Sequence, residues 1–579
     1  MRKFTGHKGQ EHMSARAQKH RGIRWKLKLS FLISACALYF APCILHAASI
    51  VNSKHNLSVS GPGDVKGVTE SEICIFCHTP HNATSEAPLW NRYESGTVYI
   101  PYTSSTLKAA VGQPAGASKV CLSCHDGTVA LGMVRSRSEA ISFTQPIGTE
   151  QNLGTDLSND HPVSFRYDSA LVFSNPLLKD PAALTGNIRL DKDSQLQCTA
   201  CHEPHNNQFG YFSRVDGMRG ALCLACHNMN GWDGSIHKSS TAVWNGLSSS
   251  PWQHTSWNNV SDNACENCHT PHNAAGKKRL LNSSTEEGNC IPCHNGNVAQ
   301  KNIVNEFNKV SLHPIYNYTG AHDPAENTVV SSNRHVECSD CHNSHAVSNV
   351  AGGPVSGSLT AVKGVNAQGS PVSAVNYEYE LCFRCHADSN YAARNYVNRQ
   401  FAENNTRLEF APANQSYHPL QNIGKNANVP SLISPLTTSS IIKCSDCHNN
   451  NNGPGNSGTG PRGPHGSAYS PLLERNLSFA DNQSESLSAY ALCYKCHDRN
   501  SILQDRSFSK HHLHITDERT PCTACHDSHG VRNAPGLINF DRNIVSANSS
   551  GQISYSSNGT FHGSCSLTCH GKVHNNLSY

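Results

Sequence analysis

Twenty-four cysteines of this chain fall into twelve pairs, and a histidine follows the second cysteine of every pair. Eleven pairs read Cys-x-x-Cys-His: Cys74/Cys77/His78, Cys121/Cys124/His125, Cys198/Cys201/His202, Cys223/Cys226/His227, Cys265/Cys268/His269, Cys290/Cys293/His294, Cys338/Cys341/His342, Cys382/Cys385/His386, Cys444/Cys447/His448, Cys493/Cys496/His497 and Cys522/Cys525/His526. The twelfth, Cys565/Cys569/His570, has one extra residue between its cysteines. Two thiols so spaced can add across the two vinyl groups of one porphyrin while the adjoining imidazole reaches its iron. Disulfides suit an exported protein, and Cys-x-x-Cys units suit zinc ribbons and dithiol redox sites. None of these requires a histidine after every second cysteine. Histidine is only 35 of 579 residues, so twelve coincidences are not chance. The expected cofactor is haem c, about twelve copies, covalently attached.

Each iron needs a sixth ligand, usually histidine or methionine in electron-transfer haems. Beyond residue 48 the chain has three methionines, Met133, Met218 and Met229, against 19 histidines outside the motifs. Ligation by two histidines, with low potentials, is expected throughout. A second histidine three residues after the motif histidine recurs as His81, His205, His272, His345 and His529. Such a residue sits beside its own proximal ligand, so it reaches a neighbouring iron rather than its own. His161, His313 and His418 each precede a proline that fixes the backbone and are expected as distal ligands, as is His465 between Pro464 and Gly466. His55, His254 and His514 complete the expected set, in competition with His237, His335 and His512; His322, His511, His562 and His574 rank below them.

The elements that position these groups must be small. Hydrophobic residues make up 37% of the chain and aromatics 7%, with 42 Gly and 28 Pro, which is poor material for large buried sheets or bundles. About 44 residues per motif cannot enclose each porphyrin separately. The expected fold is mostly irregular, with short α-helices at the motifs and little β-structure, an extended chain of two-haem modules wrapped around packed rings. Residues 1–48, basic and then apolar, read as a signal peptide cleaved near Ala48. The apolar run from Leu29 to Leu45 contains Pro42 and is short for a membrane span. Nine Lys+Arg and one Asp+Glu lie in that leader, leaving 37 basic against 41 acidic residues. A nucleic-acid role, which needs a basic face, loses its support.

Cys77–Ala83 and Cys268–Ala274 are identical, and the run from His125 to Ala130 matches that from His294 to Ala299. The repeat is therefore a two-motif unit, with expected boundaries at 49–190, 191–255, 256–330, 331–435, 436–515 and 516–579. The paired motifs, the Cys-His-x-Pro-His variants and the His-Pro sequels resemble the doubled-CxxCH multihaem cytochromes, which occur in bacteria that respire extracellular metal oxides. The resemblance covers nearly all of the chain beyond the leader, though the twelfth motif departs from it by one residue. It implies an exported electron carrier in the periplasm, at the outer membrane or outside the cell. Other redox proteins, outer-membrane conduit components or extracellular acceptors would be its partners, and peripheral membrane association would be compatible with it. Propionates would make the holoprotein acidic and favour basic docking patches. Two other functions stand beside the carrier: a reductase of nitrite or hydroxylamine type, which needs an open iron position, and a haem-stacking filament or scaffold subunit.

Overall fold

The computed structural model describes residues 49–85, 87, 89–330, 335–350, 353–389 and 396–579; the signal-peptide reading of residues 1–48 lies outside them. Most of the chain is turn and irregular loop. Among the described residues the three longest helices, α1 (Gly116–His125), α2 (Glu287–His294) and α3 (Glu378–His386), each end on a motif histidine. In α3 the order of charges suits the helix dipole, with Glu378 and Glu380 in the first turn and Arg384 and His386 in the last. Other motifs form a single turn, as at Cys198–Cys201, Cys338–Cys341 and Cys522–Cys525. One turn suffices, because residues i and i+3 share a helix face.

Such a turn ends by passing into extended backbone at the histidine itself: His202, His342 and His526 have ψ of 142°, 134° and 132°. The extended stretch then pairs with a segment that returns from downstream. Backbone N–H groups of Thr79, Glu203, Thr270, Asn449 and Asp527 donate to the carbonyls of Leu89, Phe212, Leu280, Leu472 and Leu537. All five acceptor residues are left-handed, with φ between 54° and 61°. This conformation is uncommon for non-glycine residues and costs on the order of 1–3 kcal/mol each.

Pairs of two-residue strands join segments far apart in the chain. Ser311–Leu312 pairs with Gly466–Ser467, and Ser416–Tyr417 with Gly530–Val531. Buried apolar side chains form small separate clusters, such as Val365, Tyr379, Phe383, Ala387, Phe410 and Leu420, or Phe165, Tyr167, Leu171, Leu196 and Ala200. Between them runs one continuous cavity of about 5540 Å³, lined by residues from Ile50 to Tyr579 and by all twenty-four motif cysteines. Among the described residues no helix is long and apolar enough to cross a membrane.

The C-terminal unit departs from the expected helix at every motif. Here β1 (Val545–Ser546), β2 (Ser554–Gly559), β3 (His562–Cys569) and β4 (Lys572–Ser578) form an antiparallel sheet, with β3 between β2 and β4 and also paired with β1. His570 and Gly571, with φ of 47° and 75°, make the two-residue turn between β3 and β4. That geometry needs positive φ at both positions, which His-Gly can supply.

Candidate functional site

All twenty-four motif cysteines are free thiols, so no disulfide framework holds them. Burial pushes Cys77, Cys201, Cys268, Cys447 and Cys525 up to about 12. Reactive or metal-binding thiols sit where the thiolate is favoured; these sites favour an uncharged sulfur, and a thioether is one. Divided among twelve motifs, the cavity gives about 460 Å³ each, within the roughly 300–1,000 Å³ of a ligand pocket. Sulfur atoms, volume and apolar lining thus fit a covalently held porphyrin.

Motif histidines face other imidazoles at a nearly constant distance. Ring centroids are 6.1 Å apart for His78–His205, 6.3 Å for His125–His55, 6.2 Å for His202–His272 and 6.4 Å for His227–His161. They are 6.2 Å for His269–His345 and for His294–His237, 6.0 Å for His342–His465 and 6.3 Å for His386–His313. The last three are His448–His529 at 6.2 Å, with His497–His418 and His526–His511 both at 6.4 Å. Two imidazoles so placed can hold one ion in line between them, since a metal–nitrogen bond is ~2.0 Å.

Backbone hydrogen bonds set the orientation of the rings. Nδ1 of His125, His202, His269, His342, His448 and His526 lies 2.8–3.0 Å from the carbonyls of Gln151, Tyr211, Arg279, Ser358, Pro471 and Gly536. A carbonyl only accepts, so Nδ1 carries the proton and Nε2 presents its lone pair. Four of these carbonyls, those of Tyr211, Arg279, Pro471 and Gly536, directly precede the left-handed residues Phe212, Leu280, Leu472 and Leu537. The strained turn thus has a purpose, because it aims the carbonyl at the imidazole. Burial, followed by repulsion from the facing ring, pushes His202, His227, His294, His448 and His497 down to about 4 and His465 to about 3. At neutral pH these rings are uncharged and able to ligate.

The facing histidines themselves come in doublets tied by backbone contacts. His313 N–H donates to His465 O, and His418 N–H to His529 O. His161 N–H donates to Pro271 O beside His272, while Nδ1 of His55 and of His237 bonds Pro204 O beside His205 and Ser344 O beside His345. Each doublet serves two consecutive motifs. His529 differs in its Nδ1 partner, the Glu409 carboxylate at 2.8 Å: burial pushes its pKa down, but the carboxylate outweighs this and lifts it. Asp160 lies likewise 2.9 Å from Nδ1 of His272.

Electrostatic interaction relates the cysteines of successive motifs in chain order. Cys121, Cys223, Cys290, Cys382 and Cys522 are each pushed up chiefly by the thiol of a neighbouring motif's first cysteine, respectively Cys198, Cys265, Cys338, Cys444 and Cys493. Second cysteines are near enough to repel as thiolates in the pairs Cys77–Cys124, Cys201–Cys226, Cys268–Cys293, Cys341–Cys385 and Cys447–Cys496, and Cys525 is so related to both Cys565 and Cys569.

Several expected positions fall elsewhere. His81 is exposed, outside the cavity lining, and no ring contact joins it to a motif histidine among the described residues. His254 is exposed, with Nε2 2.9 Å from Glu266 O. His570 is turned by the hairpin toward Asp481, its Nε2 2.9 Å from the carboxylate, and His514 instead faces His574 at 6.4 Å. Cys565 and Cys569 share one strand, where four residues span about 13 Å, unlike the helical turn of the other pairs. His237, a competitor of the expected His254 and His514, and His511, ranked below them, both face motif histidines. A backbone bond to the segment of another ligand marks His237, and no linear pattern encodes that. Spectra of the axial ligands should therefore be unchanged by His81→Ala, His254→Ala or His570→Ala, whereas His574→Ala or His514→Ala should alter one haem signal.

The model of the doubled CXXCH motif family matches residues 258–299. The chain is similar to the multiheme cytochrome MtrA of Shewanella baltica (strain OS185), with 27% identity over 207 residues, covering 33% of this chain and 43% of that protein. It thus spans about two-fifths of that relative's length.

Proposed function

From the premise that the chain is a multihaem c-type cytochrome with doubled CxxCH motifs, like those of metal-respiring bacteria, we propose that it relays electrons along eleven or twelve bis-histidine haems arranged in sequence order. Haem supplies the one-electron iron couple; the chain supplies attachment, orientation and spacing. One observation carries the reading: every Cys-x-x-Cys-His histidine faces a second imidazole at 6.0–6.4 Å.

On this reading the eleven motif histidines other than His570 have the proximal role, and His205, His55, His272, His161, His345, His237, His465, His313, His529, His418 and His511 the distal one. A twelfth haem would lie between His514 and His574, held by Cys565 or Cys569. The histidine doublets favour two-haem modules close to the boundaries expected from the repeats. Saturated ligation favours a carrier over a reductase, which needs an open iron. Similarity to MtrA favours a periplasmic or outer-membrane-associated site, with other cytochromes of a conduit as partners.

Intact-mass measurement of the mature holoprotein, paired with low-temperature electron paramagnetic resonance, tests the proposal. The expected result is a mass above the polypeptide by eleven or twelve haems, with low-spin bis-histidine signals alone. A mass equal to the bare polypeptide would overturn it, as would a dominant high-spin iron.

A further inference from the structure

His322 and His335 stand beside each other, with ring centroids 6.5 Å apart, among carboxylates. His322 Nδ1 lies 3.4 Å from Asp340 Oδ1, 3.6 Å from Glu337 Oε2 and 4.0 Å from Glu326 Oε1. His335 Nε2 lies 3.1 Å from Glu326 Oε2 and 3.9 Å from Asp340 Oδ2. One donor atom from each of His322, His335, Glu337 and Asp340 falls within 4.8 Å of all the others. The chain brings the donors together from His322, from His335, and from the motif turn Cys338–Cys341 with the residue before it.

The cluster is buried and short of positive charge. Side chains of His322, His335, Glu337 and Asp340 are 11%, 10%, 1% and 9% exposed. Both carboxylate oxygens of Glu337 lack a hydrogen-bond partner, as do Asp340 Oδ1 and His322 Nδ1. Glu286 adds a further carboxylate, accepting from the backbone N–H groups of His322 and Ser339. The compensating cation at hand is Arg384, 3% exposed, which pairs with Glu326 at 3.0 Å and with Asp340 at 3.5 Å. Buried carboxylate oxygens without partners are expensive, and the one guanidinium, shared by Glu326 and Asp340, leaves both Glu337 oxygens unbonded.

We infer that His322, His335, Glu337 and Asp340 bind one divalent transition-metal ion of the zinc class, separate from any haem iron. Two imidazoles and two carboxylates are a donor set that suits such an ion, whose bonds to nitrogen and oxygen are ~2.0–2.2 Å; small side-chain movements bring atoms already within 4.8 Å to that distance. Calcium and magnesium prefer oxygen alone. Bound there, the ion fastens His322 and His335 to the turn at Cys338–Cys341, and Arg384 carries the link on to α3, which ends at His386. It is thus a brace between the seventh and eighth motifs, and it places positive charge beside them.

The test uses the mature holoprotein. Elemental analysis after dialysis should find about one equivalent of non-haem divalent metal per chain; after chelator treatment, calorimetric titration with Zn²⁺ alone should saturate at one site. Glu337→Gln and His322→Ala should each weaken Zn²⁺ binding by about tenfold or more, with haem mass and low-spin spectra unchanged. Glu337→Gln keeps the shape of the side chain, so it carries the test if His322→Ala fails to fold. The inference is overturned if the wild-type holoprotein neither retains nor saturably binds the metal, or if both variants bind like the wild type. A deficit in haem mass would instead count against the electron-relay reading.

Discussion

A holoprotein carrying Cys290→Ala, Cys293→Ala and His294→Ala is expected to lose electron transfer between its two ends while keeping haem at its other motifs. The sixth motif sits between the fifth, to which Cys293 and Cys268 relate it, and the seventh, to which Cys290 and Cys338 relate it. Among the described residues the cysteine interactions join consecutive motifs, so on the proposed order removal of one motif leaves a gap. Optical titration with a small reductant should still reduce the remaining haems. Exchange between a donor docked at one end and an acceptor at the other should fall to background. Transfer at the wild-type rate would mean that the row is bypassed, and the proposed order of haems would be wrong.

The second large effect concerns folding. Produced where haem is not attached, the chain is expected to stay unfolded, with coil-like far-UV circular dichroism and rapid proteolysis at all its motifs. Buried apolar clusters of three to six residues surround a cavity of about 5540 Å³, and no disulfide ties them together. A well-buried large side chain contributes roughly 1.5–3 kcal/mol, whereas ordering each residue's backbone costs roughly 1–2 kcal/mol. Most of the chain is irregular loop whose side chains bury little, so protein contacts alone do not offset that cost. Porphyrin faces filling the cavity would supply the missing apolar contact, in the way that metal completes small metallo-domains. Native-like dichroism and protease resistance without attached haem would refute this.

Much of the site was legible because its chemistry is local. Cys-x-x-Cys-His proposes attachment and proximal ligand within five residues, and repetition singled out His205, His272, His345 and His529, which the fold places opposite motif histidines. The coil-rich architecture followed from composition. What could not be read are relations across the chain. His237 and His511 carry no flanking signature, and each is placed by the fold around it. The left-handed Phe212, Leu280, Leu472 and Leu537 look like ordinary apolar residues, and a strained backbone leaves no mark in residue type. His570 misled because it follows a cysteine, yet His570-Gly571 is also a good hairpin turn, and the strands on either side decide between the two. His81 shares its motif with His272 and still lies apart: the partner that His272 faces is a motif two places upstream, and residues 49–73, described ahead of Cys74, contain no Cys-x-x-Cys-His motif.

That upstream reach has a consequence for the whole molecule. His205, His272, His345 and His529 each belong to one module and face the motif histidine of the preceding one. Neighbouring modules are therefore interlocked like links of knitting, and no cut between them is clean. Shortening the polypeptide ahead of the eleventh motif removes His529 along with it and leaves His448, far inside the retained part, without its opposite number. Each truncation injures one more centre than it deletes, and lengthening by whole modules is the change that preserves every stitch.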